Sequence, residues 1–83
     1  MARVPYDMQY LSREDSDKFS ELPAEKQAKI LKSLGEGFTS QFEYELVAWK
    51  DGDYALDAGE CLDMAVAEFP NAKATAEKIR AML

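Results

Sequence analysis

Apolar residues along this 83-residue chain recur mostly at intervals of three and four, the spacing that gathers them on one side of an α-helix. The one alternating stretch is Val4, Tyr6, Met8, Tyr10; Pro5 interrupts it, and no second strand-like run is available to pair with it. It is expected to form an extended N-terminal arm over residues 1–11, with an edge strand as the alternative. At Ser12 the sequence "SRED" opens a short helix as a capping box does, with Asp15 where Glu or Gln is usual; Phe19 is its only large apolar residue. Pro23 suits the first turn of a second helix, which runs to Leu34 with Gly35 as its C-cap. Ala24, Ala28, Ile30, Leu31 and Leu34 are expected to face inward, and Lys26, Lys29 and Lys32 outward.

Ser40 and Glu43 form a capping box for a third helix over about 41–50. Phe42, Leu46 and Trp49 make one apolar stripe on it, while Tyr44, Val47 and Ala48 occupy another side. Such a helix is either central in a bundle or presents one side to a partner. "KDGD" breaks the chain, with Gly52 making the turn and Asp53 capping a fourth helix over 54–69 that Pro70 ends. Asn71 then caps a fifth helix, with Ala72, Ala76, Ile79 and Leu83 inward. The expected fold is all-α: a small compact bundle of four to five short helices in a single domain over 12–83, with its core on Phe42, Leu46, Trp49, Leu62, Val66, Phe69 and Ile79.

The carboxylates of "DGDYALDAGECLDMAVAEF" (51–69) invite a calcium-loop reading, which fails. An EF-hand loop needs oxygen ligands at positions 1, 3 and 5, Gly at 6 and Glu at 12. A start at Asp51 puts Ala55, Leu56 and Leu62 at positions 5, 6 and 12; a start at Asp53 puts Ala55, Ala58 and Met64 at 3, 6 and 12. At about 100° per residue the stretch is instead an amphipathic helix. Ala55, Ala58, Gly59, Leu62, Ala65, Val66 and Phe69 share one face; Asp53, Asp57, Glu60 and Glu68 lie opposite, with Met64 among them and Asp63 beside. The series Phe42, Leu46, Trp49, Ala58, Leu62, Ala65, Pro70 is similar to the spacing of one tetratricopeptide-repeat hairpin. It departs from that pattern at Glu45, where Leu is usual, and "DGDY" is one residue out of register. The resemblance covers about one 34-residue period and implies close helix-hairpin packing.

Composition removes several classes of chemistry. The chain has no histidine, hence neither the commonest general base nor the commonest transition-metal ligand. Cys61 is the only cysteine, so no internal disulfide or structural zinc site is expected, and its expected role is a small buried hydrophobe. There is no phosphate-binding glycine loop; "GEG" at 35–37 follows a helix rather than a strand. No apolar run approaches the roughly 20 residues of a membrane span, and the first residues are too polar and acidic for a secretory or transit signal. The expectation is a cytoplasmic protein without catalytic residues, cofactor or bound metal.

Charge is uneven. Residues 1–35 carry six acids and six bases, whereas 36–68 hold nine acids (Glu36, Glu43, Glu45, Asp51, Asp53, Asp57, Glu60, Asp63, Glu68) against Lys50 alone, net −8. That distribution opposes direct nucleic-acid binding, which needs a basic surface. The favoured expectation is a non-catalytic interaction module, a regulator, adaptor or inhibitor that docks a basic partner through its acidic central hairpin. Its expected contact residues are Asp53, Asp57, Glu60, Asp63, Met64 and Glu68, with Tyr44 and Val47. The alternatives are a nucleic-acid-mimicking inhibitor, and a structural subunit that self-associates through Tyr44 and Val47, its lysine face against an acidic one, or a tetratricopeptide-like helical hairpin module.

Overall fold

The computed structural model describes residues 10–52 and 56–83, which form α1 (Arg13–Glu21), α2 (Ala24–Leu34), α3 (Glu36–Asp51), α4 (Ala58–Ala67) and α5 (Ala72–Met82), with no strand among them. The all-α architecture is the one expected. Most of the proposed arm, residues 1–9, lies outside the described residues, as do Asp53, Tyr54 and Ala55. Of the arm's last two residues, Tyr10 is exposed and Leu11 is buried in the core.

Local chemistry accounts for most helix ends. Ser12 is extended and its Oγ accepts the Asp15 N–H at 3.1 Å, so the expected cap forms. α1 stops before the extended Leu22, whose backbone Pro23 biases away from helix. Gln27 Nε2 on α2 reaches back to donate to the Phe19 carbonyl at 2.9 Å and the Leu22 carbonyl at 3.2 Å, satisfying the end of α1. α2 ends at Gly35, whose φ of +110° is readily available only to glycine.

The boundaries of α3 and α4 differ from expectation. Gly35 connects α2 directly to α3, which therefore starts at Glu36 rather than near Gln41 and holds Ser40 inside a continuous helix. The extra turn buries Phe38, whose ring centroid lies 4.6 Å from that of Phe69. Burying a Phe contributes about 1.5–3 kcal/mol, more than the roughly 1 kcal/mol of a cap at Ser40. α4 begins at Ala58, with Asp57 as the cap: its Oδ1 accepts the Glu60 N–H at 2.9 Å, and Leu56 and Asp57 are not helical.

The central helix is α4, not α3. Cys61, Leu62, Ala65 and Val66 are all fully buried, and α4 packs most extensively on α3 and α1 and also against α5. Around it close Phe19, Phe38, Phe42 and Ile79, with Phe19 meeting Phe42 edge-on. Leu46, Trp49 and Phe69 pack against this core but are only partly buried. α3 leaves Tyr44 and Val47 67% and 56% exposed, and Ala24 and Ala28 of α2, expected inward, are exposed as well. The radius of gyration, 11.4 Å, is close to the roughly 12 Å expected of a single domain this long.

α1 and α4 touch backbone to backbone at Gly59, whose N–H donates to Ser20 Oγ at 2.6 Å. A Cβ on Gly59 would fall onto the Ser16 carbonyl, whereas one on Gly37 would meet nothing within 4 Å. Gly59→Ala should therefore destabilise by about 1–3 kcal/mol or more, while Gly37→Ala should be neutral or add up to about 1 kcal/mol. Urea denaturation of the two variants beside the parent checks both, and equal effects would remove the close contact. In the same assay Leu62→Ala should cost about 2–5 kcal/mol; a loss below about 0.5 kcal/mol would place Leu62 outside the core.

Candidate functional site

The acidic residues of the α3–α4 hairpin divide into three environments. Asp51, at the end of α3, and Asp57, at the start of α4, are exposed on either side of the short connection, with half-buried Glu60 one turn into α4. Glu68 is exposed at the far end of α4, eight residues beyond Glu60 and hence about 12 Å along the axis. Asp63 is in the interior, 3% exposed. Asp53 lies outside the described residues.

The structure thus corrects two positions of the expected contact face. Met64, expected exposed, is half-buried, and its Sδ accepts the indole N–H of Trp49. Asp63 turns toward α1, where its Oδ1 accepts the Leu11 N–H at 3.0 Å and its Oδ2 accepts the Ser16 hydroxyl at 2.5 Å. The physical reason is spacing: Asp63 sits one turn beyond Gly59 and so faces the same neighbouring helix. Burial pushes its carboxyl up to about 6; the Ser16 and Leu11 hydrogen bonds resist this, and the charges of Glu60 and Asp57 add to it. Asp63 fastens the entry of the chain into α1 onto α4.

Other interior polar groups are also structural. Asp15 accepts from Arg80 Nε at 2.7 Å, joining α1 to α5. Burial works to raise its carboxyl, but the Arg80 and Ser12 hydrogen bonds and the charges of Arg80 and Lys18 leave it lowered. Glu45, at the position where a tetratricopeptide helix usually has Leu, is buried and accepts from Gln41 Nε2 at 2.8 Å. Cys61 is fully buried, and burial followed by the charges of Asp57, Glu45 and Glu60 pushes its thiol up to about 11. It is held as a thiol at neutral pH, not as a nucleophilic thiolate.

A groove of about 620 Å³ runs between α2 and α3. Ala24, Ala28, Leu31, Phe42 and Leu46 supply its apolar surface, and Lys32, Glu36 and Glu43 stand along it. The alanines that helical spacing assigned to the core are exposed here, which is why the pattern alone did not disclose the groove. Among the described residues, no group of three or more His, Cys, Asp or Glu side chains could hold a metal ion, and no helix is long and apolar enough to cross a membrane. No family model, curated protein or solved structure matches the chain, and the hairpin likeness rests on its residues alone.

Asp63 makes stability depend on pH in a definite direction. Its folded carboxyl titrates near 6, above the 3.8 of an unperturbed aspartate, so between those values the folded state binds more protons. The stability it contributes is full below about pH 4 and is lost as pH rises through about 6. Asp15 works oppositely, its contribution being lost as pH falls. Asp63→Asn keeps an acceptor for Leu11 and a partner for Ser16 without the ionisable group. Relative to the parent, the variant should gain roughly 1–3 kcal/mol between about pH 4.5 and pH 7.5. Urea midpoints measured across that range check this; a constant difference between the two proteins would exclude a titrating Asp63.

Proposed function

We propose that the protein is a non-catalytic interaction module, a small acidic regulator, adaptor or inhibitor in the cytoplasm, that docks a partner with a basic surface. One observation carries the reading. Glu36, Glu43, Asp51, Asp57 and Glu68 are all exposed, and none makes an ion pair among the described residues, in a stretch where Lys50 is the only base. Carboxylates without cations beside them project a negative field that accelerates encounter with a positive surface, an effect that falls as salt rises. Asp51 and Asp57, with Glu60 beside them, are the centre of this field, and Glu68 extends it along α4. Asp63 and Met64 act from behind this surface by holding α4 in place. The buried, protonated Cys61 and the missing histidine support a role in binding rather than in chemistry.

The test must separate charge from folding, because Asp57 also caps α4. Asn retains the cap, so the informative variant combines Asp51→Lys, Asp57→Asn and Glu68→Lys. A partner captured from the native host by the parent should associate with this variant at least about tenfold more slowly in about 50 mM salt, and the gap should close near 500 mM. Circular dichroism verifies that the variant is folded. If it captures the same partner at the same rate, the acidic surface serves solvation alone and the reading fails.

A further inference from the structure

The groove between α2 and α3 has an apolar floor, and the same helix that forms one of its walls carries the two most exposed large apolar side chains among the described residues. Ser40 and Glu43 line the groove. Tyr44 and Val47 follow them at four residues each, so they continue the same two rows of the α3 surface. At 67% and 56% exposure these side chains stand beside the groove rather than in it. On the opposite wall the exposed alanines Ala24 and Ala28 leave room for a side chain to enter. The molecule therefore presents both a protruding apolar ridge and a receding apolar surface within one patch.

The walls are also opposite in sign. Lys32 stands on the α2 side and Glu36 and Glu43 on the α3 side; all three are exposed, and none is ion-paired among the described residues. A patch with ridge and hollow, cation and anion, is its own complement under a twofold axis, the requirement for an isologous contact. We propose that the occupant of this groove is a second copy of the chain. In the dimer, Val47 and Tyr44 of each copy pack over the other's Ala24, Ala28 and Leu31, and Lys32 of each meets Glu43 of the other. Glu36 and Glu43 belong also to the acidic surface invoked above, and Asp51 lies one turn beyond Val47 at the edge of the patch. Asp57 and Glu68 do not line the groove, so dimerisation is tested separately from docking by changing those two alone. α2 and α3 span about 16 and 24 Å. A contact of that size is at the small end of specific interfaces, and the expected dissociation constant is micromolar, roughly 1–100 µM.

Sedimentation equilibrium from about 5 to about 500 µM tests the proposal. The parent should move from the 9.3 kDa monomer mass toward twice that value. Val47→Glu and Ala28→Glu, both at exposed positions and verified as folded by circular dichroism, should each weaken association by at least about tenfold. Lys32→Glu and Glu43→Lys should each weaken it by a similar factor, and combining them should restore it to within about threefold of the parent. The Asp57→Asn, Glu68→Lys variant should still dimerise, whatever becomes of its partner binding. A parent that remains monomeric at the highest concentration overturns the inference. So does a dimer untouched by both Val47→Glu and Ala28→Glu, or a double charge swap no tighter than its single components.

Discussion

The close seating of α4 on α1 is the contact on which the rest of this structure depends. It is possible because residue 59 has no side chain: the Gly59 N–H reaches Ser20 Oγ, and that hydroxyl itself donates to the Ser16 carbonyl at 3.1 Å. Any side chain there would hold the two helices apart. With the backbones this near, a residue one turn along α4 falls directly over the start of α1. That residue is Asp63, and both of its oxygens find donors there. The remaining orientation of α4 follows: Cys61, Leu62, Ala65 and Val66 turn into the core, and Asp57, Glu60 and Glu68 are left toward solvent to different degrees.

Acidic residues consequently have distinct physical roles despite their similar chemistry. Asp15 is held ionised by Arg80 and ties α5 to α1, whereas Asp63 is buried with no cation beside it among the described residues, and its ionisation opposes its burial. A small domain has little stability to spare, and a single buried carboxyl is a sizeable fraction of it. Glu45 is covered while keeping Gln41 as donor. Only the acids left on the outside, among them Asp51 and Asp57 beside the α3–α4 connection and Glu36 and Glu43 along α3, contribute freely to the external field. Net charge therefore overstates the surface available to a partner, and position decides which carboxylates count.

A different constraint shapes the other side of the molecule. The positive φ of Gly35 lets α3 begin one residue after α2 ends, and Thr39 Oγ1 secures the junction by donating to the Leu31 carbonyl at 3.2 Å and the Gly35 carbonyl at 3.1 Å. Phe38 enters the core as a result. Small residues on α2 then leave the groove open beside Leu31, Phe42 and Leu46. The tight connection and the groove have a common origin: the turn holds the helix ends together, and alanine is too short to fill the space between their exposed sides.

Helical class, number of helices and much of the core were legible in the chain, because apolar periodicity and glycine or proline stops are local signals. Phe42, Leu62, Val66 and Ile79 were identifiable in this way, as were the Ser12 cap and Gly35. The start of α4 was also written locally, in the spacing of Asp57 and Glu60, although the carboxylate-rich turn before it offered a competing cap. Burial on a helix's borderline faces was not legible. Periodicity placed Asp63 beside the polar face and Ala24 and Ala28 inside, yet the first is buried and the other two are exposed. Which side of a helix is covered depends on what lies across from it. Here that was decided by the glycine contact between α1 and α4, which draws a carboxylate inward, and by the lack, among the described residues, of a third helix over α2 and α3, which leaves alanines exposed. Spacing along one helix carries no information about either neighbour; only the tertiary structure does.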